Sequence, residues 1–136
     1  MKKEINVVGA IIIKNNKIIC AQRGGTKALA NLWEFPGGKI EAGETPIEAL
    51  KRELVEELEI KVAVKEEKFD HTSYEYDFGI VNLTTFLCEL VKGEPVLTEH
   101  RSIKWLEPGE LSALEWAPAD IPAVKKLEKF KYQGVI

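Results

Sequence analysis

This 136-residue chain predicts a mixed fold in which helices pack on a β-sheet. Residues 5–13 and 80–91 are long, apolar and rich in β-branched side chains, the composition of buried strands. Residues 46–58 carry apolar side chains at helical spacing behind a strong start signal. Helical spacing returns over residues 119–130. Strands interleaved with helices around one core give an α+β fold or a three-layer α/β sandwich.

The elements follow in order. The polar run Lys14-Asn15-Asn16-Lys17 separates the first strand from a second over residues 18–22, so the two form a hairpin. Residues 24–31 are rich in small side chains and make a loop. Trp33-Glu34-Phe35 is a short extended piece, and Pro36-Gly37-Gly38 is expected to force a turn after it. Thr45 then caps a helix, with Pro46 at its first position and Glu48 three residues on to complete a capping box. Ile47, Leu50, Leu54 and Leu58 form its apolar stripe. Residues 62–64 and 68–76 read as two moderate strands, and Gly93-Glu94-Pro95 ends the long apolar one. Residues 102–106 form a further strand and 108–114 a short helix. The last helix is expected to turn Ile121, Val124, Leu127 and Phe130 inward.

Length suits one domain spanning residues 1–136 with a sizeable core. Hydrophobic residues make up 45% of the chain, which places it among globular proteins. A net charge of −3 without a long basic run argues against a nucleic-acid polymer as partner. Cys20 and Cys88 lie in apolar strands and read as buried reduced thiols. No run is long enough to span a bilayer and no cleavable leader opens the chain, so a soluble cytoplasmic protein is expected, as a monomer or homodimer.

The chemistry concentrates in residues 38–60, GKIEAGETPIEALKRELVEELEI. Glu53, Glu56 and Glu57 are three and four residues apart, so they share a face of the helix, largely off the apolar stripe. Alone, a glutamate-rich helix is a solvated face paired with Lys51 and Arg52. Carboxylates gathered into a cleft instead repel one another until a cation neutralises them. Hard divalent ions take oxygen ligands and reach substrate phosphates as well.

Gly38, Glu44, Arg52, Glu53, Leu54, Glu56, Glu57 and Ile60 match the Nudix box, G-x5-E-x7-R-E-U-x-E-E-x-G-U with U a bulky aliphatic. The chain therefore resembles the Nudix hydrolases, which cleave nucleoside diphosphates linked to another group. Glu59 stands where the box has glycine. That glycine serves the helix end, so the exchange is expected to cost local stability and to leave the chemistry intact. Ala21-Gln22-Arg23, the segment Trp33-Glu34-Phe35-Pro36-Gly37-Gly38-Lys39 and Ala117-Pro118-Ala119-Asp120-Ile121-Pro122 look like the MutT branch, which includes 8-oxo-dGTP diphosphatases and CTP pyrophosphohydrolases.

The resemblance implies an α/β/α sandwich whose catalytic helix follows a Gly-Gly loop. It implies Mg2+, with Mn2+ as a substitute, ligated by Glu56, Glu57, the Gly37 carbonyl and Glu99. Glu53 would either ligate too or orient and deprotonate the attacking water. Arg52 would pair with Glu44 or Glu56 and fix the carboxylate face. Gly37 and Gly38 would let backbone approach the metal and phosphate. Arg23, Glu34, Phe35, Gly37, Gly38, Lys39, Phe78 and Asp120 would contact the nucleotide, with Tyr74 and Tyr76 in the same aromatic region.

Asp120 is expected to bear on base choice. The 8-oxo-dGTP enzymes closest to MutT carry asparagine there, which donates and accepts, whereas a carboxylate only accepts unless protonated. The surrounding segment looks closest to the CTP pyrophosphohydrolases. The implied reaction is hydrolysis of a (d)NTP to (d)NMP and pyrophosphate in nucleotide-pool sanitation, with CTP or dCTP ahead of 8-oxo-dGTP. Other Nudix substrates, and a non-catalytic Nudix-like binding module, are the competing readings. His71 and His100 form no triad and read as ordinary loop or strand residues.

Overall fold

A computed structural model describes residues 2–25 and 28–129. A seven-stranded mixed sheet is built from β1 (Glu4–Lys14), β2 (Lys17–Gln22), β3 (Trp33–Glu34), β4 (Gly37–Lys39), β5 (Lys61–Tyr76), β6 (Gly79–Lys92) and β7 (Ser102–Leu106). Its main path runs β3-β2-β1-β6-β5, with β4 beside β1 and β7 beside β2. The pairing of β1 with β6 is parallel and the other strand pairings are antiparallel. Helix α1 (Pro46–Leu58) covers one face and α2 (Ile121–Lys129) the other.

The alternation of β1 explains the layers. Val8, Ala10 and Ile12 point to α1, where they meet Ala49, Leu50, Leu54 and Leu58. Ile11 and Ile13 point the opposite way, to Val124 and Leu127 of α2. A strand with period 2 and both faces covered reads as a continuous apolar run, which is what residues 5–13 show. The three-layer sandwich follows. Cys20 and Cys88 are free thiols buried within it, and burial pushes both thiols up to about 12.

The β1–β2 hairpin turns at Asn15 and Asn16, both with positive φ (50° and 62°), as a two-residue turn of primed type requires. Helix α1 has its capping box: Thr45 Oγ1 accepts from the Glu48 amide at 3.1 Å and Glu48 Oε1 accepts from the Thr45 amide at 2.8 Å.

Several expectations change. Gly37 and Gly38 do not form a turn but the strand β4, paired with Gly9 and Val8. Bare backbone allows it: a Cβ on Gly37 would fall 1.9 Å from the Val8 carbonyl oxygen. The two moderate strands before residue 77 are one strand, β5, whose register slips between Val64 and Lys68. The segment from Pro108 to Ala113 is a 3-10 helix, and a second 3-10 turn, Pro118–Asp120, precedes α2. In α2 the inward residues are Ala123, Val124 and Leu127, while Ile121 is exposed. Phe130 lies outside the described residues.

Candidate active site

A cleft of about 610 Å³ opens between α1, the β1–β4 edge and the segment leading into α2. Glu53, Glu57 and Glu99 line one end. Phe35, Tyr76, Phe78 and Asp120 line it further on, with Arg23, Glu34, Gly37, Gly38 and Lys39 also in its wall.

The strand β4 sets Glu53. A Cβ on Gly38 would lie 2.1 Å from Glu53 Oε2, so only glycine leaves the carboxylate its place. Glu57 follows one turn later on the same flank of α1. Its Oε1 is buried with no hydrogen-bond partner among the described residues. Burial, then the charges of Glu53, Glu34 and Glu99, push its carboxyl up to about 8. Burial raises Glu53 as well.

Arg52 grips Glu44 through a two-pronged contact, Nε to Oε2 at 2.6 Å and Nη2 to Oε1 at 2.9 Å. Nη2 also donates to the Lys39 carbonyl at 3.0 Å, tying α1 to β4. The Arg52 hydrogen bond holds the Glu44 carboxyl down to about 2. Glu56 differs from its neighbours. Its side chain is 56% exposed against 18% for Glu53, and it turns to Arg52 Nη1 at 3.3 Å. It is not in the wall of the cleft that Glu53 and Glu57 line.

At the other end, Trp33 receives and gives backbone bonds to the residue 115–117 segment: its amide donates to the Glu115 carbonyl and its carbonyl accepts from the Ala117 amide, each at 2.8 Å. This brings Asp120 to Phe35, whose amide donates to Asp120 Oδ1 at 3.0 Å. Asp120 is only 6% exposed. Burial and the nearby Glu34 charge lift its carboxyl well above the usual range. Tyr76 Oη accepts from the Ala119 amide at 2.8 Å and its ring stacks on Phe78, centroids 5.0 Å apart. Tyr74 packs on the outside of Tyr76 and is not in the cleft wall.

Glu34 joins the two ends. Its Oε1 accepts from Arg23 Nη1 at 2.7 Å and its Oε2 faces His100 Nε2 at 3.0 Å. Burial pushes its carboxyl up, but hydrogen bonds from His100 and Arg23 prevail and hold it below the usual range. His100 is thus not an ordinary loop residue: it is buried and in the cleft wall. Its place beside Glu99 was the one signal in the sequence, and without the fold nothing linked it to Glu34.

The NUDIX domain profile matches residues 3–127, nearly the whole chain. The chain belongs to the Nudix family. It is similar to the CTP pyrophosphohydrolase of Escherichia coli K12, 40% identical over 123 residues covering 90% of each chain. It is similar as well to the 8-oxo-dGTP diphosphatase of the same strain, 38% identical over 129 residues, covering 95% of this chain and 99% of that one. Among solved structures, the DNA mismatch repair protein MutT of methicillin-resistant Staphylococcus aureus 252 superposes with a TM-score of 0.78 at 56% identity, covering 95% of this chain and 98% of that one. This Nudix protein is accordingly a hydrolase of pyrophosphate bonds, and its sandwich is the Nudix fold.

The donor set suits a hard cation. It offers only oxygens, it holds an orphaned buried carboxylate oxygen on Glu57, and its carboxyls are lifted by burial and then by neighbouring carboxylates. Among the described residues, no three acidic, histidine or cysteine side chains are already arranged as a metal cage. A cation would have to draw the carboxylates inward.

Proposed function

We propose that this Nudix hydrolase converts a (d)NTP to (d)NMP and pyrophosphate, using a divalent cation. The observation that carries the reading is Glu57 Oε1, buried without a donor among Glu53, Glu34 and Glu99 at one end of the cleft. Glu53, Glu57, Glu99 and the Gly37 carbonyl would hold Mg2+, or Mn2+ in its stead; Glu56 would join only on leaving Arg52. The ion would supply Lewis-acid polarisation of phosphate and acidification of water.

The chain's own groups do the rest. Glu53, or a neighbouring carboxylate, takes the proton from the attacking water. Arg52, clamped to Glu44 and to the Lys39 carbonyl, keeps α1 in register with β4. Arg23 and Lys39 meet the phosphates, a guanidinium being suited to their oxygens. Phe35, Tyr76 and Phe78 give the base an aromatic wall, and Asp120 reads its edge.

For the base we favour CTP or dCTP, on the likeness of residues 117–122 to the CTP pyrophosphohydrolases and an Asp120 carboxylate that accepts from an exocyclic amine. One observation supports 8-oxo-dGTP as a second reading. Burial of Asp120 favours its protonated form, which donates one hydrogen bond and accepts another, as an asparagine does. Measuring kcat/KM for CTP, dCTP, dGTP and 8-oxo-dGTP separates the two. The first reading expects the cytosine nucleotides ahead; a clear lead for 8-oxo-dGTP reverses the order.

A further inference from the structure

Glu99 lies in the loop between β6 and β7, residues 93–101, and its two chain neighbours fasten that loop on opposite sides. Thr98 Oγ1 donates to the Glu57 carbonyl at 2.6 Å, on the last turn of α1. The Val96 amide adds a bond to the Leu58 carbonyl at 3.0 Å. On the other side His100 Nε2 meets Glu34 Oε2 at 3.0 Å, and the Arg101 amide donates to the Gln22 carbonyl at 2.8 Å. The backbone at Glu99 is close-set too, since a Cβ on Gly24 would come 3.4 Å from its carbonyl oxygen.

His100 is fitted to this one contact. An ionised carboxylate only accepts, so Nε2 carries the proton. Nδ1 is buried with no partner among the described residues, and the whole residue is 8% exposed. An apolar ring would spare that orphaned nitrogen, yet it would leave Glu34 Oε2 without this donor.

We propose that Thr98 and His100 are positioning residues that hold the loop at Glu99 beside the α1 carboxylates, so that its carboxylate is within reach when a cation draws them together. The inference rests on the proposed role of Glu99 as a metal ligand. Thr98 references the loop to Glu57, and His100 references it to Glu34 and, through Glu34, to Arg23. The metal end and the phosphate-binding arginine thereby share one frame.

The test is a Mn2+ titration of the nucleotide-free protein, with free Mn2+ read by electron paramagnetic resonance. Outer partners of metal ligands are worth about 10–100-fold in affinity. Thr98→Val and His100→Asn are expected to weaken Mn2+ about tenfold, in the range of Glu99→Gln. His100→Gln, whose amide nitrogen reaches where Nε2 stood, is expected to stay within about twofold of the wild type. Long-range 1H–15N spectra of the wild type are expected to show His100 as the Nε2–H tautomer. Should His100→Asn not fold, the exposed Thr98→Val and the tautomer decide. If Glu99→Gln loses affinity while Thr98→Val and His100→Asn do not, the positioning role is wrong and the ligand assignment stands. A His100 protonated at Nδ1 alone overturns the role as well. If Glu99→Gln binds like the wild type, Glu99 is no ligand, and the assignment falls together with the inference.

Discussion

Glu57 has a carboxyl that the cation-free fold holds in its protonated form up to about pH 8, whereas an unfolded glutamate titrates near ~4.3. The folded state binds that proton more tightly. The associated stability is complete below about 4.3 and is lost as the pH rises through about 8. The melting temperature of the chelated protein should therefore fall over this window. Added Mg2+ should restore more at pH 8 than at pH 5, since a ligand that binds only the folded state stabilises it. Glu57→Gln should flatten both responses in a thermal-shift titration; an unchanged pH profile in that variant would remove Glu57 as their source.

Asp120 obeys the same sign. Its folded carboxyl is raised, so its contribution is complete below the unfolded value of about 3.9 and diminishes as the pH climbs. Asp120→Asn keeps an oxygen for the Phe35 amide and cannot ionise. It should melt higher than the wild type at pH 7 and equal it near pH 4. Under the proposed function the same exchange fixes a donor beside the base. Kinetics should then move toward 8-oxo-dGTP over CTP by about 3–10-fold, the worth of one hydrogen bond.

Within α1, the end of the helix tests how the chain tolerates its departure from the box. Glu59 takes the left-handed conformation, φ 58° and ψ 39°, and the chain closes back with the Ile60 amide on the Leu54 carbonyl at 3.3 Å. Glycine adopts this conformation without the Cβ clash, though it loses more entropy on folding. Glu59→Gly is expected to stabilise the protein by about 0.5–1 kcal/mol, a rise of a few degrees in Tm, with kcat/KM unchanged. A loss of stability on calorimetry would contradict this account of the helix end.

This helix was also the most legible part of the sequence. Its cap, its proline and its stripe are local signals, and the structure keeps all three. What the sequence hid was set by partners far along the chain. Gly37 and Gly38 look like a turn until β1 pairs with them, and only then is the reason for glycine plain. The Glu56 side chain cannot be told from Glu53 by spacing; the fold seats Glu53 against Gly38 and leaves Glu56 exposed, with Arg52 Nη1 near both. His100 meets Glu34 across 66 positions, a contact no periodicity announces.

Across the whole molecule, the sandwich holds a carboxylate-lined end and an aromatic end in one cleft. Helix α1 presents its carboxylates where β4 leaves room for them, and the isolated parallel bridge that brings residues 115–117 to Trp33 delivers Asp120 to Phe35. Both ends meet at Glu34. Among the described residues, no helix is long and apolar enough to cross a membrane. Under the proposed function the division of labour is spatial: the α1 end would govern which bond breaks, and Asp120 with the aromatic wall would govern which base is held.

Product analysis with the nucleotide panel tests this most directly, run with Mg2+, with chelator, and with Glu57→Gln. The account predicts one pyrophosphate and one nucleoside monophosphate per turnover, no turnover under chelation, and a loss of more than about 100-fold in kcat/KM for Glu57→Gln. Release of orthophosphate in place of pyrophosphate, no turnover of any nucleotide, or wild-type rates in Glu57→Gln would contradict it.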